Sequence, residues 1–177
     1  MTPKFEVVEA KEFHCGQILR RLRIEHREAI ERVGANSHRE LRALFDSSYL
    51  RRAWLIDGKL AALGGVSGSI LSHYGFVWIA LSNEAMRYPV ALIREVKRQI
   101  ESVMATKSQL VTTIVGGDEA AKRFAVFLGF HCDHEGFGSP AFSKFSRRNL
   151  ANYLETTPDL RVPIGKGYII PMGYHPD

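Results

Sequence analysis

The middle of the chain, residues 54–130, gives an ordered series of strand and helix signals that limits the possible folds more than any other feature. Residues 54–56 and 59–62 are apolar and flank Asp57-Gly58. This pattern predicts a tight hairpin, because a type I′ turn needs positive φ at both central residues. Tyr74–Leu81 is a nearly unbroken apolar run and predicts a third strand, covered on both faces. Three glycines are expected to loosen or bulge the second strand: Gly64, Gly65 and Gly68.

A helix, a strand and a second helix are predicted after this run. Pro89 suits the first turn of a helix, and apolar residues recur at helical spacing to about residue 106. Gln109–Val115 is rich in β-branched residues, which favours another buried strand. Asp118 is expected to cap a further helix that stops at Gly129. Two last strands are expected at about residues 130–134 and 141–145.

The N-terminal part of the chain adds one strand and two helices to the prediction. Residues 5–10 alternate loosely between apolar and polar, as a short first strand would. A helical pattern runs from Gly16 to Val33. A second, shorter helix is expected from Ser37, which would form a capping box with Glu40.

The composition fits one globular domain with an appendage. The chain has 177 residues, of which 45% are hydrophobic, and this is enough for a single core. No apolar run approaches the roughly 20 residues that cross a bilayer, and the start has no apolar signal region. We therefore expect a cytoplasmic protein without a membrane partner. Cys15 and Cys132 lack metal-ligand spacing, so no metal site is predicted.

The net charge of +5 is compatible with an acidic ligand, with nucleic acid or with an acidic protein partner. Arg20, Arg21, Arg23 and Arg27 alternate with glutamates at helical spacing, which is typical of a solvated helix face. No aromatic residues interleave with the basic ones. Nucleic-acid binding is therefore supported by net charge alone.

The chain changes character after Arg148, and we divide it into a domain at 1–149 and a C-terminal arm at 150–177. Residues 156–177 contain four prolines and three glycines and have no periodicity, which predicts an extended arm. Its apolar residues are too many for an idle linker. They are the predicted contacts with neighbouring subunits of an oligomer or a virion assembly: Val162, Ile164, Tyr168, Ile169, Ile170, Met172 and Tyr174.

The order of elements from residue 5 to residue 145 resembles the acetyl-CoA-dependent N-acetyltransferases of the GNAT class. The family also has a motif of Asn, two residues, Ala, an aromatic pair and Gly-Phe, and similar residues stand here at Asp118, Ala121, Phe124 and Gly129-Phe130. The resemblance implies an α/β (α+β) fold with a mixed, mostly antiparallel central sheet flanked by helices. It also implies that the fourth strand splays from the fifth, with the pantetheine of CoA between them.

In this family the pyrophosphate binds at the start of the helix after the fourth strand, where free N–H groups and the helix dipole attract anions. The resemblance assigns this role to Arg87, Val90 and Ala91, with Asp118 from the second motif. The family has small residues where Val90 and Leu92 stand here, and Pro89 lacks an amide. We therefore expect either no cofactor or acetyl-CoA held by the helix start beside Arg87.

The resemblance also implies a general base near the end of the fourth strand and a tyrosine that protonates the leaving thiolate. Glu84 is the only carboxylate near the first position and is the predicted catalytic residue, with an ordinary surface glutamate as the alternative. Ala125 stands in the place of the tyrosine and has no proton to give. His26 and His73 are further titratable candidates.

Two functional hypotheses follow, one structural and one enzymatic. A site without its glycine-rich phosphate turn and its acid favours a reused scaffold, and the glycine-poor turn resembles a subgroup encoded by tailed bacteriophages. The first hypothesis is thus a GNAT-fold virion or binding component, for example in a head-to-tail connector, that assembles through its arm. The alternative is an active acetyl-CoA-dependent N-acetyltransferase that modifies an unknown amine or a host protein.

Overall fold

The computed structural model describes residues 3–32, 36–135 and 142–149. Within these residues the chain forms seven strands, five α-helices and one 3-10 helix, which spans Asn83–Arg87. The strands are β1 (Phe5–Glu9), β2 (Ser48–Ile56), β3 (Lys59–Ser67), β4 (Tyr74–Leu81), β5 (Gln109–Val115), β6 (His131–Glu135) and β7 (Phe142–Arg148). The α-helices are α1 (Glu12–Arg20), α2 (Ile24–Arg32), α3 (Ser37–Ser47), α4 (Pro89–Met104) and α5 (Glu119–Phe127).

All described strands belong to one sheet with the order β1-β2-β3-β4-β5-β7-β6. Neighbouring strands are antiparallel except β4 and β5, which run parallel. A parallel pair needs a crossover, and α4 supplies it between these two strands. The predicted mixed, mostly antiparallel sheet flanked by helices is confirmed.

The helices cover both faces of the sheet, and each face has its own apolar core. α4 and α5 cover one face, where Leu92, Val96, Ile100 and Ala125 pack against strand residues such as Trp54 and Leu110. α1 and α3 cover the other face, where Ile18, Leu41, Leu44 and Phe45 pack against Leu63 and Trp78. Both faces of β4 are therefore covered, as its apolar sequence predicts.

The hairpin prediction is confirmed in its turn and corrected in its second strand. Asp57 and Gly58 have φ of 50° and 74°, as a type I′ turn requires. β3 is continuous, and it does carry one extra residue in its pairing with β2, but that residue is Ala61, opposite Trp54/Leu55, and not a glycine. A Cβ on Gly65 would lie 2.7 Å from the Leu50 carbonyl oxygen. The glycines of β3 thus allow close approach and do not loosen the strand.

The single long helix predicted from Gly16 is two helices, α1 and α2. The residues between them, Arg21, Leu22 and Arg23, form what we call the α1–α2 connection. Leu22 forms an isolated antiparallel bridge with Ser82, and the Arg23 N–H donates to the Leu81 carbonyl at 3.2 Å. The helix is interrupted because these backbone groups bond to the end of β4 instead of to their own helix.

Three strands are longer than predicted: β2 begins at Ser48 and not at Trp54, β3 ends at Ser67 and not at Ala62, and β7 ends at Arg148 and not at about Phe145. The start of α3 differs as well. The cap of α3 is Asn36, whose side chain accepts hydrogen bonds from the His38 and Arg39 N–H groups, so Ser37 is the first helical residue and not the cap. The arm predicted at 150–177, with its seven contact residues, lies outside the described residues. Among the residues that are described, no helix is long and apolar enough to span a membrane.

Candidate functional site

β4 and β5 pair at one end only, and this leaves a wedge-shaped gap in the middle of the sheet. The pairing is limited to Tyr74, Gly75 and Phe76 against Gln109, Leu110 and Val111. Beyond this narrow end the strands continue to Leu81 and Val115 without pairing to each other. We call the gap the wedge. Its wide end lies at the carboxyl ends of the two strands.

The unpaired edge of β4 offers backbone hydrogen-bonding groups to the wedge. The Ser82 N–H donates to the Ala61 carbonyl of β3, whereas the Leu81 carbonyl accepts from the α1–α2 connection on the opposite edge. Because successive strand residues direct their N–H and C=O groups to alternate edges, Ile79 and Val77 face the same way as Leu81. Both therefore present backbone groups to the wedge between its narrow end and the α1–α2 connection.

A cavity of about 130 Å³ occupies the wedge. Asp118 and Ala121 line it at the wide end, and Val77 and Leu110 line it at the narrow end. Successive turns of α4 lie along the length of the cavity, and most of the cavity lining is apolar. The α4 residues that line the cavity are Val96, Gln99, Ile100 and Val103.

Two polar side-chain atoms in the lining of this cavity are buried without a hydrogen-bond partner. They are Nε1 of Trp54 and Oγ1 of Thr113, which are the only such atoms among the described residues. Trp54 is 4% exposed and Thr113 is 6% exposed, so bulk water does not supply the missing partner. An unpaired buried donor costs about 1–3 kcal/mol, and a ligand in the cavity would remove that cost.

Charged side chains line the cavity together with one histidine. Arg23, Arg52 and Asp118 contribute the charges, and His26 of α2 lies among them, half-buried. Burial lowers the pKa of His26, while the Asp118 carboxylate opposes this effect and the Arg23 guanidinium reinforces it. The imidazole is therefore held neutral near pH 7, in the form that accepts a proton.

Arg23 does not lie on a solvated helix face, which corrects that prediction for this residue. It belongs to the α1–α2 connection, its side chain is only 12% exposed, and it pairs with Glu25 at 3.4 Å. Asp118 has the predicted capping role, because its Oδ1 accepts a hydrogen bond of 2.9 Å from the Ala121 N–H at the start of α5. Ala125, in the place of the expected tyrosine, is buried in the cavity lining.

Four other residues predicted from the sequence lie outside the cavity lining. Glu84 is in the 3-10 helix, where it pairs with Arg87 at 3.2 Å and with Lys59 at 3.9 Å. Arg87 is exposed, with its guanidinium 5.9 Å from the centre of the Tyr88 ring. Val90 and Ala91 occupy the first turn of α4, exposed and half-buried respectively. The structure therefore brings Asp118 to the cavity and gathers Glu84 and Arg87 at the approach to α4.

The start of α4 still offers two backbone donors. The Leu92 N–H donates to the Tyr88 carbonyl at 3.1 Å and closes the first helical turn. The N–H groups of Val90 and Ala91 precede this bond and have no acceptor within the helix, whereas Pro89 has no N–H to offer. These donors belong to the backbone of Val90 and Ala91. They are therefore present even though the side chain of Val90 is larger than the small residue that the family has there.

No sequence motif marks four of the polar residues that line the cavity: Trp54, Thr113, Arg23 and Gln99. They come from four different parts of the chain and meet only because the wedge opens between β4 and β5. In residues 3–32, 36–135 and 142–149, no three His, Cys, Asp or Glu side chains are placed to hold a metal ion.

The fold is that of solved N-acetyltransferases of the GNAT family. Spermidine N-acetyltransferase from Vibrio cholerae, in complex with CoA and spermine, aligns with a TM-score of 0.60 at 12% identity, over 85% of this chain and 98% of that one. Ribosomal-protein-S18-alanine N-acetyltransferase from Escherichia coli aligns with a TM-score of 0.59 at 13% identity, over 82% and 94%. A GNAT-family acetyltransferase from Streptococcus pneumoniae gives 0.56 at 14% identity, over 82% and 99%. No protein-family model and no curated protein matches the chain.

Proposed function

We propose that the chain is an N-acetyltransferase that transfers an acyl group from a CoA thioester, acetyl-CoA in the simplest case, to an amine. The observation that supports this most is the unpaired edge of β4 beside a cavity in the wedge. Backbone groups of Val77 and Ile79 can bond to the amides of pantetheine as a neighbouring strand would. The Vibrio cholerae structure with the same fold contains CoA.

The diphosphate of CoA would bind at the start of α4. The N–H groups of Val90 and Ala91 and the positive end of the helix dipole attract an anion there. Arg87 adds a cation beside them, although it already pairs with Glu84. Pro89 removes one donor, so we expect weaker diphosphate binding than a glycine-rich turn would give.

His26 is the proposed acceptor of the amine proton. In the transfer the amine nitrogen forms a bond to the thioester carbonyl carbon, the C–S bond breaks, and the amine loses one proton. His26 lines the cavity and is held neutral by burial, so it can take that proton. Ala125 cannot protonate the leaving thiolate, and water would have to do so. Glu84 remains the alternative base that the sequence predicts. It lies outside the cavity lining, where it pairs with Arg87.

The experiment that tests the proposal is a titration of the protein with acetyl-CoA by isothermal calorimetry, with two matched arginine variants. Arg87 and Arg98 are both exposed, and each pairs with a glutamate three residues earlier. Only Arg87 stands at the start of α4. Arg87→Glu is expected to weaken binding about 10-fold to 150-fold, since a hydrogen bond to a charged group contributes about 1.5–3 kcal/mol. Arg98→Glu should bind like the wild type.

A second measurement separates an enzyme from a scaffold. Release of free CoA thiol is followed with a panel of amines, and His26→Gln should lower kcat while leaving acetyl-CoA affinity unchanged. Absence of saturable acetyl-CoA binding at millimolar concentration would overturn the proposal. It would favour a virion or binding component instead, a hypothesis supported by Ala125 and by the missing glycines at Val90 and Leu92.

A further inference from the structure

We infer that the acceptor is a small amino acid, whose carboxylate binds Arg23 while its amine lies beside His26. This inference rests on the proposed function and names the class of its acceptor. It concerns the side of the wedge that faces away from α4, where α2 packs beside α3.

The cavity opens toward both faces of the sheet. Thr112 and Thr113 are adjacent on β5 and both line it, although successive strand residues point to opposite faces. α4, at whose start the diphosphate is proposed to bind, covers one face, and α3 covers the other. The acceptor has to reach the thioester from the face that α4 leaves uncovered, and α2 lies on that side.

Arg23 is the arginine of the cavity lining that belongs to this second face. Arg52 also lines the cavity, but it shares one side of β2 with Leu50 and Trp54, which pack in the core under α4. Arg23 directly precedes α2, and the Arg27 N–H donates to its carbonyl at 3.0 Å, which closes the first turn of that helix. A cation is thereby held on the side from which the acceptor enters.

Arg23 and His26 are close enough to bind two groups of one small molecule. Residues three apart on a helix are neighbours, with about 5–6 Å between their Cβ atoms, and both of these side chains line the cavity. The proposed proton acceptor and a carboxylate-binding group therefore stand side by side. This spacing suits an amine and a carboxylate that are one or two carbons apart.

The guanidinium of Arg23 retains donors for such a carboxylate. Among the described residues, Glu25 is the only carboxylate paired with it, at 3.4 Å, and Glu25 is 63% exposed. An exposed ion pair contributes little, and a guanidinium has several N–H donors. Because the Arg23 side chain is only 12% exposed, a carboxylate bound there is partly shielded from water and held more strongly.

Asp118 supplies the opposite charge for the amine. Its carboxylate raises the pKa of His26 and Arg23 lowers it, so the imidazole lies within reach of both charges. Oδ1 of Asp118 caps α5, and the second carboxylate oxygen can still attract the ammonium form of the acceptor. Positive and negative groups on either side of His26 thus match a zwitterion.

Thr113 adds an unused polar atom on the same face. Leu110 and Ile114 of β5 belong to the core under α4, so Thr113, of the opposite parity, points to the other face. Its Oγ1 is buried without a hydrogen-bond partner, and the residue is 6% exposed. A hydroxyl can donate to a carboxylate or accept from an amine, and an amino acid offers both groups.

The test follows release of CoA thiol from acetyl-CoA by the wild-type protein with matched acceptors. The acceptors are the proteinogenic L-amino acids, the α-carboxamides of the same amino acids, spermidine, and a peptide with a free N-terminal alanine. At least one amino acid should have a kcat/KM about tenfold or more above that of its amide, because only the acid gives a charge-assisted hydrogen bond to Arg23.

The outcomes separate this inference from the proposed function. Amides, spermidine or the peptide that react as well as every amino acid would overturn the inference and leave the N-acetyltransferase standing. Turnover with none of the acceptors would overturn both.

Matched arginine variants locate the carboxylate site. Arg21 and Arg23 both lie in the α1–α2 connection, but Arg21 is exposed and outside the cavity lining. Arg23→Gln should raise the KM for the amino acid about tenfold and leave turnover of the amide nearly unchanged. Arg23→Lys keeps the charge and should recover part of the preference, and Arg21→Gln should preserve it. Equal losses for acid and amide in Arg23→Gln, with its fold retained by circular dichroism, would contradict the assignment.

Thr113→Val tests the same face without removing a charge. Valine is similar in size and removes a buried hydroxyl that has no partner, so the thermal stability should not fall. The KM for the amino acid should rise severalfold, while acetyl-CoA affinity stays the same. An unchanged KM would contradict an acceptor bound on this face of the wedge.

Discussion

The two edges of β4 differ in how much of their length is paired with a neighbouring strand. The fully paired edge holds the strand in the sheet, and the partly paired edge borders the candidate site. The edge toward β3 is paired at six positions, from Ser67↔Phe76 to Ala62↔Leu81. The edge toward β5 is paired at three positions and then opens into the wedge. A strand with both edges paired has no backbone groups left for a ligand. The closed edge thus fixes β4 in place while the open edge remains free to bind.

The largest expected effect comes from breaking the closed edge with Gly65→Val. The new Cβ would lie 2.7 Å from the Leu50 carbonyl oxygen and 3.0 Å from Nε1 of Trp78, neither of which can move freely. We expect the free energy of unfolding to fall by about 3 kcal/mol, measured by urea titration. The control is Gly16→Ala in α1, where the nearest atom is the end of the Arg20 side chain at 3.8 Å. That variant should gain stability, and an unchanged Gly65→Val protein would refute the steric argument.

A somewhat smaller loss of stability is expected from a substitution of Lys107. This residue lies at the narrow end of the wedge and is 1% exposed. Its ammonium group donates to the carbonyl oxygens of Ser69, Ile70 and Ser72 in the loop before β4. Lys107→Met leaves these carbonyls unpaired and should lower the free energy of unfolding by about 2 kcal/mol. Acetyl-CoA affinity should also fall, because the point at which β4 and β5 separate is no longer fixed.

The control for Lys107→Met is Lys97→Met, an exposed position on α4. It makes the same change of side chain and charge outside the loop and should leave the free energy of unfolding nearly unchanged. Equal losses in the two variants would show that the charge, and not the hydrogen bonds to the loop, determines the effect.

The smallest expected effect is on the pH dependence of stability, through His26 at the open edge. Burial lowers its pKa in the folded protein below the ordinary value of 6.5. The unfolded chain then binds more protons, so stability is full above about pH 6.5 and falls as the pH drops through the folded pKa. His26→Gln should flatten this fall in thermal unfolding measured between pH 7 and 5. A residual slope is expected from His14, whose pKa burial also lowers.

Local signals predicted the elements that depend on near neighbours. Asp57-Gly58 determines its turn through the positive φ of two adjacent residues, and Asp118 caps α5 through a bond three residues away. The bounds of β4 and β5 follow from apolar and β-branched runs. The interruption of the first helix was not predicted, because its cause is the end of β4, about sixty residues further along the chain.

The candidate site was predicted in its position and only partly in its residues. The resemblance to GNAT enzymes implied the splay of β4 from β5, and Asp118 does line the cavity. Trp54 and Thr113 were missed because a strand residue gives no local sign of which polar atom will be left unpaired. Arg23 was missed because its place beside the cavity depends on the bonds between the α1–α2 connection and the end of β4. Glu84 was selected by its distance from β4 along the sequence, and its contacts are ion pairs with Arg87 and Lys59.

The sequence alone determined the order of the strands, the hairpin turn and the Asp118 cap of α5, since these depend on spacing and on hydrogen bonds within a few residues. The tertiary structure decided where the pairing of β4 with β5 stops and how the α1–α2 connection bonds to the end of β4. It also decided which buried side-chain atoms lack a hydrogen-bond partner. These features depend on contacts between residues that are far apart in the sequence. Strand pairing and burial arise only when those contacts form, and so does the lowered pKa of His26 that burial causes.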